Sequence, residues 1–332
     1  MEKQTIPVVV VSGFLGSGKT TLLRRWIDKL IDDGLKPAVV MNELGDVNLD
    51  GEIIGGDIPM EELLGGCICC TISGDLGLAL ARIAEEETPD MILIESTGAA
   101  NPMELIDGIT EASLYHRISL SQVIIVVDGP HLLDLNRTGK GKTHRLMSEQ
   151  IRCADLLLLN KTDLLSEEEL SEIEEVVREL NAKAELVKTV QCEVDPALLM
   201  RTVAREHGTA ARCDHHDCDH HDHDHSGHHR SHESHAHVMV YTHYFDSMLD
   251  SNEFERFIAE LPAEVYRAKG ILRFTDTASR YLFQYAYRQT DFLAIKPQKD
   301  VPDVLVLIGE HMNAEELEQK LRKLERSGGP RE

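Results

Sequence analysis

The sequence predicts an α/β fold: a mostly parallel sheet with helices on both faces, followed by a smaller C-terminal α+β domain. Three observations carry that expectation. Up to about residue 205, short runs rich in Val, Ile and Leu alternate with longer amphipathic segments, the rhythm of strands covered on both faces by crossover helices. From Cys213 to His237 the pattern breaks, because eleven of the chain's 17 histidines crowd there among aspartates with almost no aliphatic residues. Such a segment cannot bury enough apolar surface to fold alone and reads as a disordered linker. Beyond it, apolar periodicity resumes in shorter pieces. The expected division is therefore 1–208, 209–237 and 238–332.

The strand candidates, in order, are Pro7 to Ser12, Ala38 to Asn42, Met91 to Glu95, Gln122 to Asp128, Asp155 to Asn160 and Glu185 to Thr189. Between the first two, Thr20 to Asp32 places Leu22, Leu23, Trp26, Ile27, Leu30 and Ile31 on one helical stripe, with Trp26 as core. Glu167 to Leu180 reads as another helix, whose acidic first turn, Glu167 to Glu169, complements the helix dipole. After the histidine tract, strands are expected at Val238 to Phe245, Ile271 to Thr275, Tyr281 to Tyr287 and Val304 to Ile308. Helices are expected at Asn252 to Leu261 and Ala314 to Leu324.

With 58 Asp and Glu against 34 Lys and Arg, the formal net charge of this 332-residue chain is −24. That balance argues against a general nucleic-acid binder, which needs clustered cations. No run approaches the roughly 20 apolar residues that span a bilayer, so no membrane association is expected. The apolar run Ile6 to Val11 passes into a glycine loop rather than a cleavage site, which implies a cytoplasmic address. Seven cysteines in a reducing compartment are expected to be mostly thiols, with Cys153 and Cys192 as packed core.

Directly after the first strand stands Gly13-Phe14-Leu15-Gly16-Ser17-Gly18-Lys19-Thr20, which fits G-x-x-x-x-G-K-[ST] and opens the Thr20 helix. Strand, glycine loop and helix N-terminus together make a phosphate cradle, the P-loop of NTPases. The expected binders are Gly13, Gly16, Ser17, Gly18 and Thr21, with Lys19 on the terminal phosphates and the Thr20 hydroxyl on Mg²⁺. Asn160-Lys161-Thr162-Asp163 follows a buried strand and supplies the base site. The acceptor-only carboxylate of Asp163 matches the paired N–H donors of guanine, and adenine offers no such pair, so GTP is favoured over ATP. Between these motifs, Glu95-Ser96-Thr97-Gly98 places Glu95 as the acid that holds Mg²⁺ and Gly98 as a backbone contact to the last phosphate. No arginine or glutamine declares itself as the residue that aligns the attacking water.

Gly65-Gly66-Cys67-Ile68-Cys69-Cys70 packs three thiols into four residues after two glycines. Thiolates favour Zn²⁺ or Cu(I), and Cys67, Cys69 and Cys70 leave a fourth position for water, a carboxylate such as Glu43 or Asp46, or an acceptor's thiol. The tract adds His215, His216, His220, His221, His223 and His225, with Cys213 and Cys218 nearby. Without fixed geometry these imidazoles act as an unselective collector of metal. His116, His131, His144, His207, His243 and His311 are read as surface or core residues.

Gly13 to Leu22, Asn42 to Gly45, Gly66 to Cys70, Glu95 to Pro102 and Asn160 to Asp163 stand in that order. In this the chain resembles the CobW-type GTPases of the P-loop class, with their G-x-L-G-x-G-K-T-T-L, N-E-x-G, G-C-x-C-C, E-x-x-G-x-x-x-P and N-K-x-D motifs. Leu261-Pro262, Arg267 to Gly270 and Leu307 to Gly309 resemble that family's C-terminal domain. The sequence departs at Leu44 and Asp46, where family members often carry Phe and Glu. The resemblance implies a GTP-dependent metallochaperone that binds Zn²⁺ and passes it to a client metalloprotein. Two alternatives stand beside it: a GTPase chaperone for Co²⁺ or Ni²⁺ insertion, and a non-catalytic histidine-rich metal buffer. The sequence carries no signal for an oligomeric state.

Overall fold

The structure, a computed structural model, describes residues 4–41, 58–62, 72–139, 141–199, 238–286 and 288–328. Seven parallel strands form the first sheet: β1 (Ile6–Ser12), β2 (Pro37–Met41), β3 (Met60–Glu62), β4 (Met91–Glu95), β5 (Ile118–Asp128), β6 (Leu156–Asn160) and β7 (Glu185–Lys188). Their order is β3-β2-β4-β1-β5-β6-β7. The chain winds outward from β1 in one direction through β2 and β3, returns at β4, then crosses to β5, β6 and β7. The winding therefore reverses around β1, and ligands of open α/β sheets bind outside the carboxyl ends of the strands at such a point.

Strand side chains alternate between two cores. Val9 and Val11 of β1, Leu93 of β4 and Val126 of β5 pack with Leu22, Leu23, Trp26, Ile27 and Leu30 of helix α1 (Lys19–Asp32). Val8 and Val10, Ile92 and Ile94, and Ile125 and Val127 face the other way, into a core shared with α2 (Ile72–Arg82) and α3 (Pro102–Ser113). The same core takes in residues of α4 (Gly129–Thr138), α5 (Lys142–Arg152) and α6 (Glu167–Leu180). Burial on both faces is why these strands read as unbroken apolar runs. One residue of the α1 stripe departs: Ile31 is 43% exposed. It lies on the last turn, one residue past Leu30, and a step of about 100° turns it off the sheet.

The acidic first turn of α6 does more than balance a dipole. Ser166 accepts from the Glu169 N–H while the Glu169 carboxylate accepts from the Ser166 N–H, a reciprocal cap.

The second sheet is antiparallel, in the order β11-β10-β9-β12-β8. Its strands are β8 (Val238–Phe245), β9 (Val265–Arg273), β10 (Arg280–Ala286), β11 (Gln289–Ile295) and β12 (Asp303–Glu310), with α7 (Ser251–Ala259) and α8 (Ala314–Gly328). Along β12, Leu305 and Leu307 pack towards α7 and α8 with Phe245, Phe254 and Phe283. Val304, Val306 and Ile308 point the other way and join the core of the first sheet's α2 and α3 side. The two sheets thus share one continuous apolar core through the helix layer between them.

Two strands lie outside the sequence expectation, β3 and β11. The first has three residues, and β11 is an edge strand whose residues are nearly all exposed, so neither carries apolar alternation. β9 begins six residues earlier than expected, since Arg267, Lys269 and Gly270 interrupt its apolar pattern. Among the described residues no helix is long and apolar enough to cross a membrane.

Candidate nucleotide site

The carboxyl ends of β1, β4, β5 and β6 bring the sequence-marked residues together. Register places Val11 beside Glu95 and Asp128 beside Asn160 along one edge of the sheet. After Ser12 the loop turns over Phe14 to Ser17, with the Ser17 N–H donating to the Phe14 carbonyl at 3.2 Å. Gly18 then caps α1 in the left-handed region at φ 113°. A Cβ there would meet Asn160 Nδ2 at 2.7 Å and Cys192 Sγ at 2.6 Å, so only glycine lets the loop sit this low on its support.

Lys19 is 7% exposed, and its Nζ donates to the Phe14 carbonyl at 3.2 Å, curled into its own loop. The Thr20 hydroxyl donates to Glu95 Oε1 at 2.7 Å, joining the start of α1 to the end of β4. The Ser17 hydroxyl is buried and has no hydrogen-bond partner among the described residues. A buried polar atom left this way, beside helix amides with no intrahelical acceptor, suits an anionic ligand. Thr21 is exposed at the outer side of the same turn.

The residues therefore fit a phosphate chain with a divalent cation. Hydroxyl and carboxylate oxygens at Thr20 and Glu95 are the hard donors that Mg²⁺ takes, and the backbone cradle with Lys19 is an anion site.

At the other end, Asn160 is buried at 2% exposure and its amide is engaged within the protein. Nδ2 donates to the Ser17 carbonyl at 2.7 Å, while Oδ1 accepts from the Cys192 N–H at 2.9 Å and the Thr189 hydroxyl at 3.2 Å. Asn160 ties the phosphate loop to the loop after β7. Lys161 stands in the left-handed region at φ 62°, and its Nζ pairs with Asp128 Oδ2 at 2.5 Å. Asp128 also caps α4 through the His131 N–H at 3.1 Å. Asp163 stands exposed on the 3₁₀ turn Thr162–Leu164 at the mouth of this site.

Sequence reasoning missed Thr189, the second role of Cys192, and Gln150. Cys192 is core, as read, with burial pushing its thiol pKa up to about 11, yet its Sγ also donates to the Gly18 carbonyl at 3.3 Å. Cys153 is likewise buried, its pKa pushed up to about 12, mainly by burial. Residue type alone marked none of these contacts, because those of Thr189 and Cys192 depend on where the loop after β7 lands and that of Gln150, whose amide meets the Gly98 and Ala100 carbonyls, on how α5 packs against the loop after β4. Of the histidines set aside, His131 lies against the Phe14 ring, with centroids 5.1 Å apart, and His243 is part-buried in the second sheet.

The metal-ligand candidates Glu43, Asp46, Cys67, Cys69, Cys70, Cys213 and Cys218, and the histidines at 215, 216, 220, 221, 223 and 225, lie outside the described residues. Among the described residues no group of three or more His, Cys, Asp or Glu side chains is placed to hold a metal ion.

Against known families, the CobW/HypB/UreG nucleotide-binding domain model matches residues 7–188. The chain belongs to this family. The cobalamin synthesis protein CobW C-terminal domain model matches residues 239–325, the second sheet with its helices. The zinc chaperone CobW of Sinorhizobium sp. is 31% identical over 239 residues, covering 64% of this chain and 67% of that protein. The Pseudomonas aeruginosa zinc chaperone CobW is 33% identical over 242 residues, 64% of each chain. The zinc-regulated GTPase metalloprotein activator 1 of Schizosaccharomyces pombe is 28% identical over 354 aligned positions, 93% of this chain and 83% of that one. The matched stretch thus spans about two thirds of the two CobW relatives. Among solved structures, Zn(II)-bound YjiA GTPase from E. coli aligns with a TM-score of 0.45 at 25% identity, covering 97% of this chain and 99% of that one. The matched nucleotide-binding domain contains both the phosphate loop after β1 and the Asn160 to Asp163 motif after β6.

Proposed function

We propose that this protein is a GTP-hydrolysing metallochaperone that binds Zn²⁺ and delivers it to a client metalloprotein in the cytoplasm. The contact that carries the nucleotide half is Thr20 to Glu95 at 2.7 Å, a hydroxyl and a carboxylate set beside the lysine of a phosphate loop. Lys19 neutralises the terminal phosphates, and the first-turn amides of α1 cradle the rest. Thr20 and Glu95 would hold Mg²⁺, which when bound offsets phosphate charge. Asp163 selects guanine, and Asn160 keeps the phosphate loop at a fixed distance from the base site. Zinc is the cargo. Its binding falls to Cys67, Cys69 and Cys70, with Glu43 as a further donor and the tract histidines as a collector. The names of the CobW and activator relatives support zinc over cobalt or nickel as that cargo.

In sequence the cysteine loop lies between the Glu43 and Glu95 segments, so one nucleotide-dependent rearrangement reaches both phosphate and metal. The test is Zn²⁺ affinity by chelator competition on the full chain and its Cys69→Ser variant, each with GDP, with a non-hydrolysable GTP analogue and without nucleotide. Tighter binding with the analogue in the wild type, lost in Cys69→Ser, supports a nucleotide-gated carrier. Equal affinities in all three states reject it, because a ligand without differential affinity shifts nothing. Lys19→Ala separates this reading from passive storage: a carrier loses hydrolysis and metal supply at unchanged metal content.

A further inference from the structure

We infer that Gln150, on α5, is the positioning residue that presets the Ser96 to Asn101 loop for the terminal phosphate and so sets preference for the triphosphate over the diphosphate. The inference rests on the nucleotide reading above and adds to it a residue that touches neither nucleotide nor metal.

Gln150 is 1% exposed, unusual for a long amide side chain on an amphipathic helix. Its Nε2 donates to two backbone carbonyls of the loop that follows Glu95, Gly98 O and Ala100 O, each at 3.3 Å. A trans peptide points its C=O and N–H in opposite directions, so fixing these carbonyls fixes the facing of the N–H groups of Ala99 and Asn101. The rest of the loop is held at its ends. Ser96 donates its hydroxyl to Ser12 Oγ at 2.7 Å and its N–H to the Val11 carbonyl at 3.0 Å. Ala100 N–H donates to Thr97 O at 3.1 Å, and Asn101 caps α3 through the Met103 N–H at 3.0 Å.

Between these anchors the loop presses on the phosphate loop. A Cβ on Gly98 would lie 2.6 Å from the Leu15 amide nitrogen and 2.7 Å from its Cγ, so only a glycine lets the loop lie this close to Leu15 of the phosphate loop. Strand order then decides which end of a nucleotide this loop meets. The base motif follows β6, the phosphate loop follows β1, and Gly98 follows β4 on the opposite side of β1. A nucleotide laid with its base at Asp163 and its phosphates on the cradle extends its terminal phosphate towards β4, where Glu95 already meets Thr20. GDP has no group there. Gln150 therefore acts on an interaction that only the triphosphate makes.

The loop also carries the position forward, since α3 starts at its last residue and packs under the second sheet. Nothing in the residue type announced this role: Gln150 lies on a helix some 50 residues downstream of the loop it holds.

The experiment uses the full chain with Mg²⁺ and compares the affinities of fluorescent GDP and a fluorescent non-hydrolysable GTP analogue for wild type, Gln150→Met and Gln150→Glu. Met keeps the volume and removes the donor; Glu keeps the shape and sets a carboxylate against two carbonyls. The expected result is a GTP-analogue affinity at least about tenfold weaker in both variants with GDP affinity within twofold of wild type. A residue that merely stabilises the fold weakens both nucleotides alike, and that outcome overturns the inference, as does an unchanged GTP-analogue affinity. Amide hydrogen exchange of residues 96–101 in the wild type gives a readout that needs no variant. The analogue slows exchange there and GDP does not; equal protection by both overturns the inference. If the wild type binds neither nucleotide, the nucleotide reading itself fails, which is distinct from binding that Gln150 leaves untouched.

Discussion

Tyr244 of β8 and Ile118 of β5 exchange two hydrogen bonds across the junction of the two sheets. The Ile118 N–H donates to the Tyr244 hydroxyl at 3.0 Å, and that hydroxyl faces the Ile118 carbonyl at 2.6 Å, with the His116 and Ser113 carbonyls at 2.8 and 3.0 Å. The Arg117 guanidinium lies over the same ring, 5.1 Å from its centroid. Tyr244→Phe strips one donor from a cluster of part-buried carbonyls. It is expected to lower stability by about 1–3 kcal/mol with little change in nucleotide affinity. Urea unfolding with nucleotide titration checks both; a change in affinity without loss of stability would contradict a purely structural role.

On the same junction, Asp107 and Glu111 of α3 are one helical turn apart and meet Arg267 and Lys269 of β9 at 2.5 and 2.6 Å. Spacing i, i+4 on a helix and i, i+2 on a strand puts each pair on one face. Asp107 and Arg267 are both 36% exposed, so water and salt screen them. A double-mutant cycle on this pair is expected to give a coupling of only about 0.3–1 kcal/mol that shrinks with added salt, the apolar core beneath carrying most of the docking.

Asp163→Asn exchanges one carboxylate oxygen for an N–H₂ donor. Facing guanine, that donor opposes a donor, and the expected loss in GTP affinity is about 2–3 kcal/mol, or roughly 30- to 150-fold. Xanthosine triphosphate, with a carbonyl where guanine has its amino group, is expected to gain. Unchanged binding of both nucleotides would remove Asp163 from the base site.

Stability is expected to fall on the acid side of neutrality through His243. Burial holds its imidazole pKa below the ordinary 6.5, opposed by Glu325, Glu318 and Asp246 and reinforced by Arg322. A depressed folded-state pKa means that the unfolded chain takes up the proton first. The stabilisation is complete above about pH 6.5 and is lost as pH falls through the lowered value. His116, whose pKa is also lowered chiefly by burial, acts in the same direction. Denaturation midpoints between pH 7 and 5 are expected to drop less steeply in His243→Gln than in wild type; identical slopes would exclude the residue.

The central strands were legible because they are covered on both faces. β4 lies at Met91–Glu95 as expected, and β1 and β6 end at the expected Ser12 and Asn160. Strands β3 and β11 were not, since three residues are too few to show a pattern and the residues of β11 are nearly all exposed. The phosphate loop was legible for a different reason: Gly13 to Thr20 are contiguous, so its cradle is a local property of the backbone. The Asn160 to Asp163 motif was read as the base site; what the sequence did not show is that the Asn160 amide meets Ser17 O, the Cys192 N–H and the Thr189 hydroxyl.

Sequence by itself determined what short-range physics dictates: the βαβ rhythm, the glycine loop opening α1, the acceptor carboxylate of Asp163 and the apolar run of β12. Tertiary structure alone decided how distant pieces meet. Strand order set Glu95 against Thr20, although 75 residues separate them. It also put the Gln150 amide on the carbonyls of Gly98 and Ala100, and the Tyr244 hydroxyl on the backbone of Ile118. Backbone carbonyls are the same at every position, so a side chain that binds one leaves no mark in the pattern of residue types; only the path of the chain shows which carbonyl it reaches.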